Sequence, residues 1–175
     1  GQDPWDILSK EVAIESAVPF GCVLTLPATG SEMNSGAVIS RKSTIEKLSF
    51  GSRHTFPKFS ILDPTTTYSL PKKQIRNGIV DTFVHTMEQY LTFPVGTPLQ
   101  DRQAEAILKT IIEESGAILS EPKTYDSMAT FMWSATQALN GVLGCGVVED
   151  WATHMIGHEI TAFYGLDHAE TLAIV

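Results

Sequence analysis

The pattern of apolar and polar residues divides the chain near Pro71. Before that point, short apolar runs alternate with turn residues. We predict a buried strand over residues 20–26 in AVPFGCVLTLPATGSE, where the apolar run ends in a Pro/Gly turn. Two short runs flank a polar turn in SGAVISRKSTIEKLSFGS and indicate a hairpin. Another short strand is expected to end at Asp63-Pro64 in FPKFSILDPTTTYSLP.

After Pro71 the apolar residues recur with the period of an α-helix. Prolines and glycines separate the helices, as expected for residues that end them. The predicted helices cover about 78–92, 99–119, 124–143, 148–163 and 167–175. The fold class is therefore an α/β N-terminal part over residues 1–70, followed by an all-α part over residues 71–175.

Charge and composition narrow the possible partners. The formal charge of −8 and the isoelectric point near 5.0 disfavour nucleic acid and acidic membrane surfaces. No apolar run approaches the roughly 20 residues that span a membrane. Cys22 and Cys145 are too few for a disulfide framework, which fits a reducing compartment. We therefore expect a cytoplasmic protein without nucleic-acid or membrane partners.

The two ends of the sequence predict a piece of a longer protein. The sequence begins without an initiator Met, and the final ETLAIV is apolar and helix-like with no stop signal after it.

Asp81 and His85 stand four positions apart on the helix predicted over 78–92. Side chains at i and i+4 of a helix are neighbours and can hold one metal ion. An apolar stripe occupies the other flank of this helix, with Ile79, Val80, Phe83, Val84 and Met87. The pattern alone favours a solvated acid–imidazole pair over a chelating pair.

Three of the five histidines lie within fifteen positions in WATHMIGHEITAFYGLDHAE. His154 and His158 share a helix face with Trp151, and they are either metal ligands or one core and one exposed histidine. The metalloprotease arrangement H-E-x-x-H is absent, because Met155 and Ile156 follow His154.

His168 follows Asp167, which forms a predicted capping box with Glu170. The box places His168 in the first turn of the last helix. A helix N-terminus disfavours imidazolium, so we expect a neutral ring, which is the form that a metal requires.

Two weaker polar signals precede the helices. The loop LPATGSE offers hydroxyl and amide donors, although a plain turn is the simpler interpretation. Lys42 and Lys47 either reach a phosphate or are solvated.

Together these segments resemble the iron-containing alcohol dehydrogenase family. The matching runs are LPATGSEMNSGAVIS, LDPTTTYSLP, GIVDTFVHTMEQYLT, ATQALNG and WATHMIGHEITAFYGLDHAETLAIV. The resemblance covers essentially the whole chain and is strongest to NADPH-dependent butanol dehydrogenases and broad-range aldehyde reductases. It implies a dehydroquinate-synthase-like architecture. Residues 1–70 would be the C-terminal portion of the nucleotide-binding domain, and residues 71–175 the first part of the metal-binding all-α domain.

The resemblance also implies roles for individual residues. The four matched metal ligands are Asp81, His85, His154 and His168. The first two would then face an interdomain cleft instead of bulk water. His158 matches a family histidine near nicotinamide and substrate, and it is a candidate proton relay that titrates near neutrality. Positions that contact the cofactor or shape its pocket are Thr25, Thr29, Asn34 and Lys47.

The implied function is metal-dependent hydride transfer between NAD(P)H and a primary alcohol or aldehyde. Three imidazoles and one carboxylate accept Fe²⁺ or Zn²⁺. NADP(H) is expected over NAD(H), and a homodimer is expected for the full-length protein. The family's Gly-Gly-Gly-Ser pyrophosphate loop is absent here, so we expect this chain to hold a metal but not to hold the dinucleotide well.

Three alternatives remain open at this point. The chain could come from a glycerol-dehydrogenase-like enzyme or from a dehydroquinate-synthase-like enzyme of the same architecture. It could also be a metal-binding or dimerisation fragment without catalysis.

Overall fold

Short strands followed by longer helices make up residues 3–10 and 12–175, the part of the chain that the computed structural model describes. In chain order the elements are α1 (Asp6–Ser9), β1 (Cys22–Val23), β2 (Gly36–Arg41), β3 (Glu46–Gly51), β4 (Ser60–Ile61), a 3₁₀ helix (Pro64–Thr67), α2 (Lys72–Tyr90), α3 (Pro98–Ile118), α4 (Tyr125–Ala138), α5 (Ala152–Tyr164) and α6 (His168–Leu172). The order of these elements, with strands first and long helices after them, agrees with the predicted fold class.

The strands form two small sheets. Strands β2 and β3 pair antiparallel, with Gly36 opposite Gly51 and Arg41 opposite Glu46, which confirms the predicted hairpin. Strand β1 pairs in parallel with β4. The prediction of a buried strand over residues 20–26 is wrong, because only Cys22–Val23 is strand and Val23 is 57% exposed. Its pairing partner in the described chain has only two residues, so little of the run is covered.

The helices lie where the apolar period predicted them, but their ends differ. Helix α2 begins directly after Pro71, six residues before the predicted start at 78, because residues 72–77 contain a single apolar residue, Ile75, and one residue sets no helical period. Helix α4 ends at Ala138 instead of 143. The chain then passes through Gly141, whose φ of 85° lies in the left-handed region that a helix does not contain.

The main core lies between α2, α3 and α4. Its buried side chains are Ile75, Ile111, Ile118, Met128 and Phe131. Full burial of such a side chain stabilises a fold by about 1.5–3 kcal/mol. This core anchors α2, which is the helix that carries Asp81 and His85.

Two glycines allow close approaches that position the polar cluster. A Cβ at Gly78 would lie 2.2 Å from the Pro27 carbonyl oxygen and 2.7 Å from Phe131, so any side chain would push α2 away from the loop after β1. A Cβ at Gly157 would lie 3.0 Å from Thr171 Oγ1 and 3.1 Å from Leu172. Helices α5 and α6 are therefore packed close together at this point.

No helix among the described residues has both the length and the apolar character to cross a bilayer.

Candidate metal centre

The polar face of α2 is buried. Asp81 is 2% exposed and His85 is 3% exposed, whereas the neighbouring apolar residues Ile79, Val80 and Phe83 are only partly buried. The expectation of a solvated pair from the pattern alone is therefore wrong. The reason is tertiary, because α5 and α6 both pack against α2 and cover this face.

Three imidazoles converge on one oxygen atom. The Nε2 atoms of His85, His154 and His168 lie 3.6, 3.7 and 3.7 Å from Asp81 Oδ1. The rings of His85 and His154 are stacked, with centroids 4.6 Å apart. Three helices thus bring four side chains to one point, with Asp81 and His85 from α2, His154 from α5 and His168 from α6.

The donor set fits a divalent cation. Asp81 Oδ1 and His154 Nε2 are buried and have no hydrogen-bond partner among the described residues. The separations of 3.6–3.7 Å exceed those of ordinary hydrogen bonds. Buried polar atoms without partners are unusual and destabilising, and a metal ion would satisfy them. Ligand atoms of Asp81, His154 and His168 all lie within 4.8 Å of one another, which is close enough to share one ion.

The electrostatics of α2 favour the protonation states that metal binding requires. Burial lowers the pKa of His85 to about 4, although Asp81 opposes this shift. Burial raises the pKa of Asp81, but the neighbouring His85, His154 and His168 more than offset this, and the pKa is lowered overall. The imidazole is therefore neutral and the carboxylate ionised near neutral pH.

His168 has a neutral ring, as predicted, but for a different reason. Burial is the largest effect that lowers its pKa to about 4, and Lys47 contributes to the decrease. The predicted capping box of Asp167 and Glu170 is confirmed. Lys73 of α2 bonds both of these carboxylates, at 2.8 and 3.0 Å, and so holds the start of α6 against α2.

His154 differs from the other two rings. Burial lowers its pKa, but the carboxylates of Asp81 and Glu88 raise it, and the pKa is raised overall. Glu88 bonds His154 Nδ1 directly. Sequence reasoning did not predict Glu88, although a signal exists. It lies three positions after His85 and seven after Asp81, and this spacing repeats along one face of α2.

His158 lies beside the cluster but does not join it. Its ring centroid is 5.2 Å from that of His168 and 6.3 Å from that of His154, and the side chain is buried. Burial, Lys47 and His154 lower its pKa to about 4, against an opposing effect of Asp81. The expectation that it titrates near neutrality is therefore corrected, since the ring is neutral at pH 7.

Among the predicted cofactor positions, Lys47 is nearest to the cluster. Its Nζ lies 3.4 Å from His168 Nδ1. Burial lowers its pKa, and Asp81 opposes this shift. Asn34 Nδ2 donates to the carbonyl oxygens of Thr29 and Leu139, at 2.9 and 3.1 Å, so Asn34 holds the loop that follows β1 against the end of α4. The side chains of Thr25 and Thr29 are exposed, as is that of Lys42.

Two family models match the sequence of this chain. Residues 75–175 match the Fe-containing alcohol dehydrogenase family, C-terminal, and residues 1–64 match iron-containing alcohol dehydrogenase. The chain belongs to the iron-containing alcohol dehydrogenase family.

Individual relatives extend the comparison. The chain is 62% identical over 176 residues to the NADPH-dependent aldehyde reductase YqhD of Escherichia coli, covering 99% of this chain and 45% of that protein. It is 47% identical over 173 residues to the probable NADH-dependent butanol dehydrogenase 1 of Bacillus subtilis, again covering 99% and 45%. The crystal structure of E. coli YqhD superposes with a TM-score of 0.97 at 60% identity, covering 99% of this chain and 45% of that one. The chain thus spans about half the length of the relatives it matches.

Proposed function

We propose that this chain provides the metal centre of an NAD(P)-dependent alcohol dehydrogenase or aldehyde reductase. Its substrate would be a primary alcohol or aldehyde. The proposed metal ligands are Asp81, His85, His154 and His168, with Fe²⁺ or Zn²⁺ as the ion.

The observation that supports this proposal is the convergence of three Nε2 atoms on Asp81 Oδ1, at 3.6–3.7 Å, inside the protein. A purely structural cluster would pair its polar atoms, yet Asp81 Oδ1 and His154 Nε2 lack partners in the described chain. Similarity to an aldehyde reductase and a butanol dehydrogenase favours this function over the glycerol-dehydrogenase-like and dehydroquinate-synthase-like alternatives and over a non-catalytic fragment.

The chemistry divides between the bound groups and the chain. When bound, the metal supplies a Lewis acid for the substrate oxygen, and the nicotinamide supplies or accepts the hydride. The side chains of α2, α5 and α6 would hold the ion in a largely buried site. His158 is the proposed proton-transfer residue, because it is buried beside His168 and neutral at pH 7.

The cofactor contacts are also proposals. Lys47 would contact the cofactor, and its Nζ, 3.4 Å from His168 Nδ1, supports this proposal. Thr25 and Thr29 would offer their exposed hydroxyls on the loop after β1. Asn34 would shape this pocket, because its amide donates hydrogen bonds to the carbonyl oxygens of Thr29 and Leu139.

The larger organisation is proposed from the family. We assign residues 1–70 to the end of a nucleotide-binding domain and 71–175 to the start of an all-α domain, in a dehydroquinate-synthase-like architecture. A homodimer and a cytoplasmic location stay predictions.

The function is tested on the whole protein by steady-state reduction of butanal with NADPH and with NADH. We expect turnover, with a higher kcat/KM for NADPH than for NADH. Turnover should be lost when a chelator removes the metal and should return when Fe²⁺ or Zn²⁺ is added. A clear preference for NADH would overturn the choice of cofactor. Absence of turnover by a metal-loaded protein with either cofactor would overturn the proposed activity.

Metal should also stabilise the 175-residue chain itself, because its ligands come from three helices that must pack together to form the site. At a hundredfold excess over Kd, binding adds about 2.7 kcal/mol, or roughly 5–10 °C in melting temperature for a domain of this size. Melting curves with and without Zn²⁺ measure the shift. Mg²⁺, which prefers oxygen ligands, is the control. An unchanged melting temperature at saturating Zn²⁺ would contradict a metal site in this chain.

A further inference from the structure

Helix α5 is only partly capped by the residues just before it, because Asp150 Oδ1 accepts from the N–H of Ala152 alone, at 3.0 Å. Its N-cap residue, Trp151, makes no side-chain capping hydrogen bond, and the first turn contains no acidic residue. The first N–H groups of a helix have no partner within the helix, and they carry the positive end of its dipole. Glu88 of α2 caps the next two N–H groups, because its Oε1 accepts from the backbone N–H groups of Thr153, at 2.6 Å, and His154, at 3.2 Å.

The second oxygen of Glu88 bonds the ring of His154. Oε2 contacts Nδ1, and an ionised carboxylate can only accept a hydrogen bond. The proton of a neutral His154 must therefore be on Nδ1, which leaves the lone pair on Nε2. That nitrogen lies 3.7 Å from Asp81 Oδ1 and has no other partner in the described chain. Glu88 is 8% exposed, so water competes little for these bonds.

The other two rings have no comparable acceptor. His85 Nδ1 is buried without a hydrogen-bond partner among the described residues. His168 Nδ1 faces the ammonium group of Lys47, which is a donor. Of these three rings, only that of His154 therefore has a carboxylate among the described residues that selects its tautomer.

We propose that Glu88 is a positioning residue, whose single carboxylate both caps α5 and fixes the Nδ1–H tautomer of His154, so that Nε2 is presented to the metal. This inference rests on the proposed metal centre. Carboxylates that bond a ligating histidine in this way raise its basicity and fix its orientation, and their removal typically reduces metal affinity by about 10–100-fold.

The decisive variant is Glu88→Gln, which has nearly the same shape. The amide oxygen can still accept from the two backbone N–H groups of α5, but the NH₂ group then faces His154 Nδ1. Since that group donates, the histidine must accept on Nδ1 and place its proton on Nε2, the atom needed by the metal. We expect Zn²⁺ affinity of the whole protein, measured by competition with a chelator, to fall by about 10–100-fold. The visible absorption of bound Co²⁺ should weaken in parallel.

A second variant separates this role from simple capping. Glu88→Ala removes the two bonds to the backbone of α5 and the bond to the His154 ring, so we expect weaker metal binding and also faster hydrogen exchange of the Thr153 and His154 amides. Glu88→Gln should keep those amides protected. If Glu88 only caps the helix, Glu88→Gln will bind Zn²⁺ as the wild type does and Glu88→Ala alone will lose affinity, which would overturn the proposal.

The control is Glu170→Gln on α6. Glu170 also completes a helix cap next to a proposed ligand, but its carboxylate bonds the Asp167 backbone and Lys73 and not an imidazole. Its ion pair with Lys73 is exposed and screened by water, so affinity should change by less than about fivefold. Failure of the wild-type protein to bind metal would overturn the metal centre itself. Equal affinity of wild type and Glu88→Gln would overturn only the role of Glu88.

Discussion

His154→Ala should leave the whole protein without stoichiometric metal and without measurable turnover. The ring is buried, and its Nε2 is one of the three nitrogen atoms grouped around Asp81 Oδ1. Loss of a partner outside the ligand shell already reduces metal affinity by about 10–100-fold, and loss of a ligand should reduce it further. Elemental analysis after anaerobic purification measures the metal, and butanal reduction with NADPH on the same sample measures the rate.

His54→Ala is the matched control for this variant. The His54 ring contacts Arg53 Nε at 3.4 Å in the segment between β3 and β4, outside the cluster. We expect it to retain both metal and rate. One metal ion per chain in purified His154→Ala would show that His154 is not a ligand.

His158→Ala should also lose rate but, unlike His154→Ala, should keep its metal. The ring lies beside His168 without joining the nitrogen atoms around Asp81. Its pKa of about 4 keeps it neutral at pH 7, so it can accept a proton from an alcohol. Loss of a general acid or base typically reduces the rate by about 10²–10⁴-fold. Turnover and metal content are measured on one preparation.

Glu159→Gln provides the comparison for His158→Ala, since Glu159 is the next residue of α5 and is exposed. This variant should match the wild type in metal content and rate. Metal loss from His158→Ala would instead identify His158 as a ligand. An unchanged rate would remove it from proton transfer.

Much of the secondary structure could be predicted, because its signals are local. The hairpin follows from two β-like runs around a polar turn, and the start of α6 follows from the capping box of Asp167 and Glu170. Errors arose where a local signal was weak or ambiguous. Residues 72–77 of α2 contain one apolar residue, Ile75, and so show no apolar period. The run over residues 20–26 has the composition of a buried strand but only a short partner.

The candidate site was harder to predict from local pattern. On α2 the apolar stripe suggested that Asp81 and His85 face water, whereas packing by α5 and α6 buries them. The family resemblance, and not the helical period of the apolar residues, indicated that these two side chains face a cleft between domains. Glu88 shows the same limit, because its spacing from His85 is visible in the sequence but its partner, His154, lies 66 positions away.

The sequence by itself determined which residues could bind a metal, their spacing along each helix and the likeness to one enzyme family. Only the tertiary structure decided that the Nε2 atoms of three histidines meet at one oxygen of Asp81. Side-chain chemistry and helical period are properties of neighbouring residues. Convergence depends on how α2, α5 and α6 pack, and that depends on contacts between residues far apart in the chain, such as the close approach at Gly157.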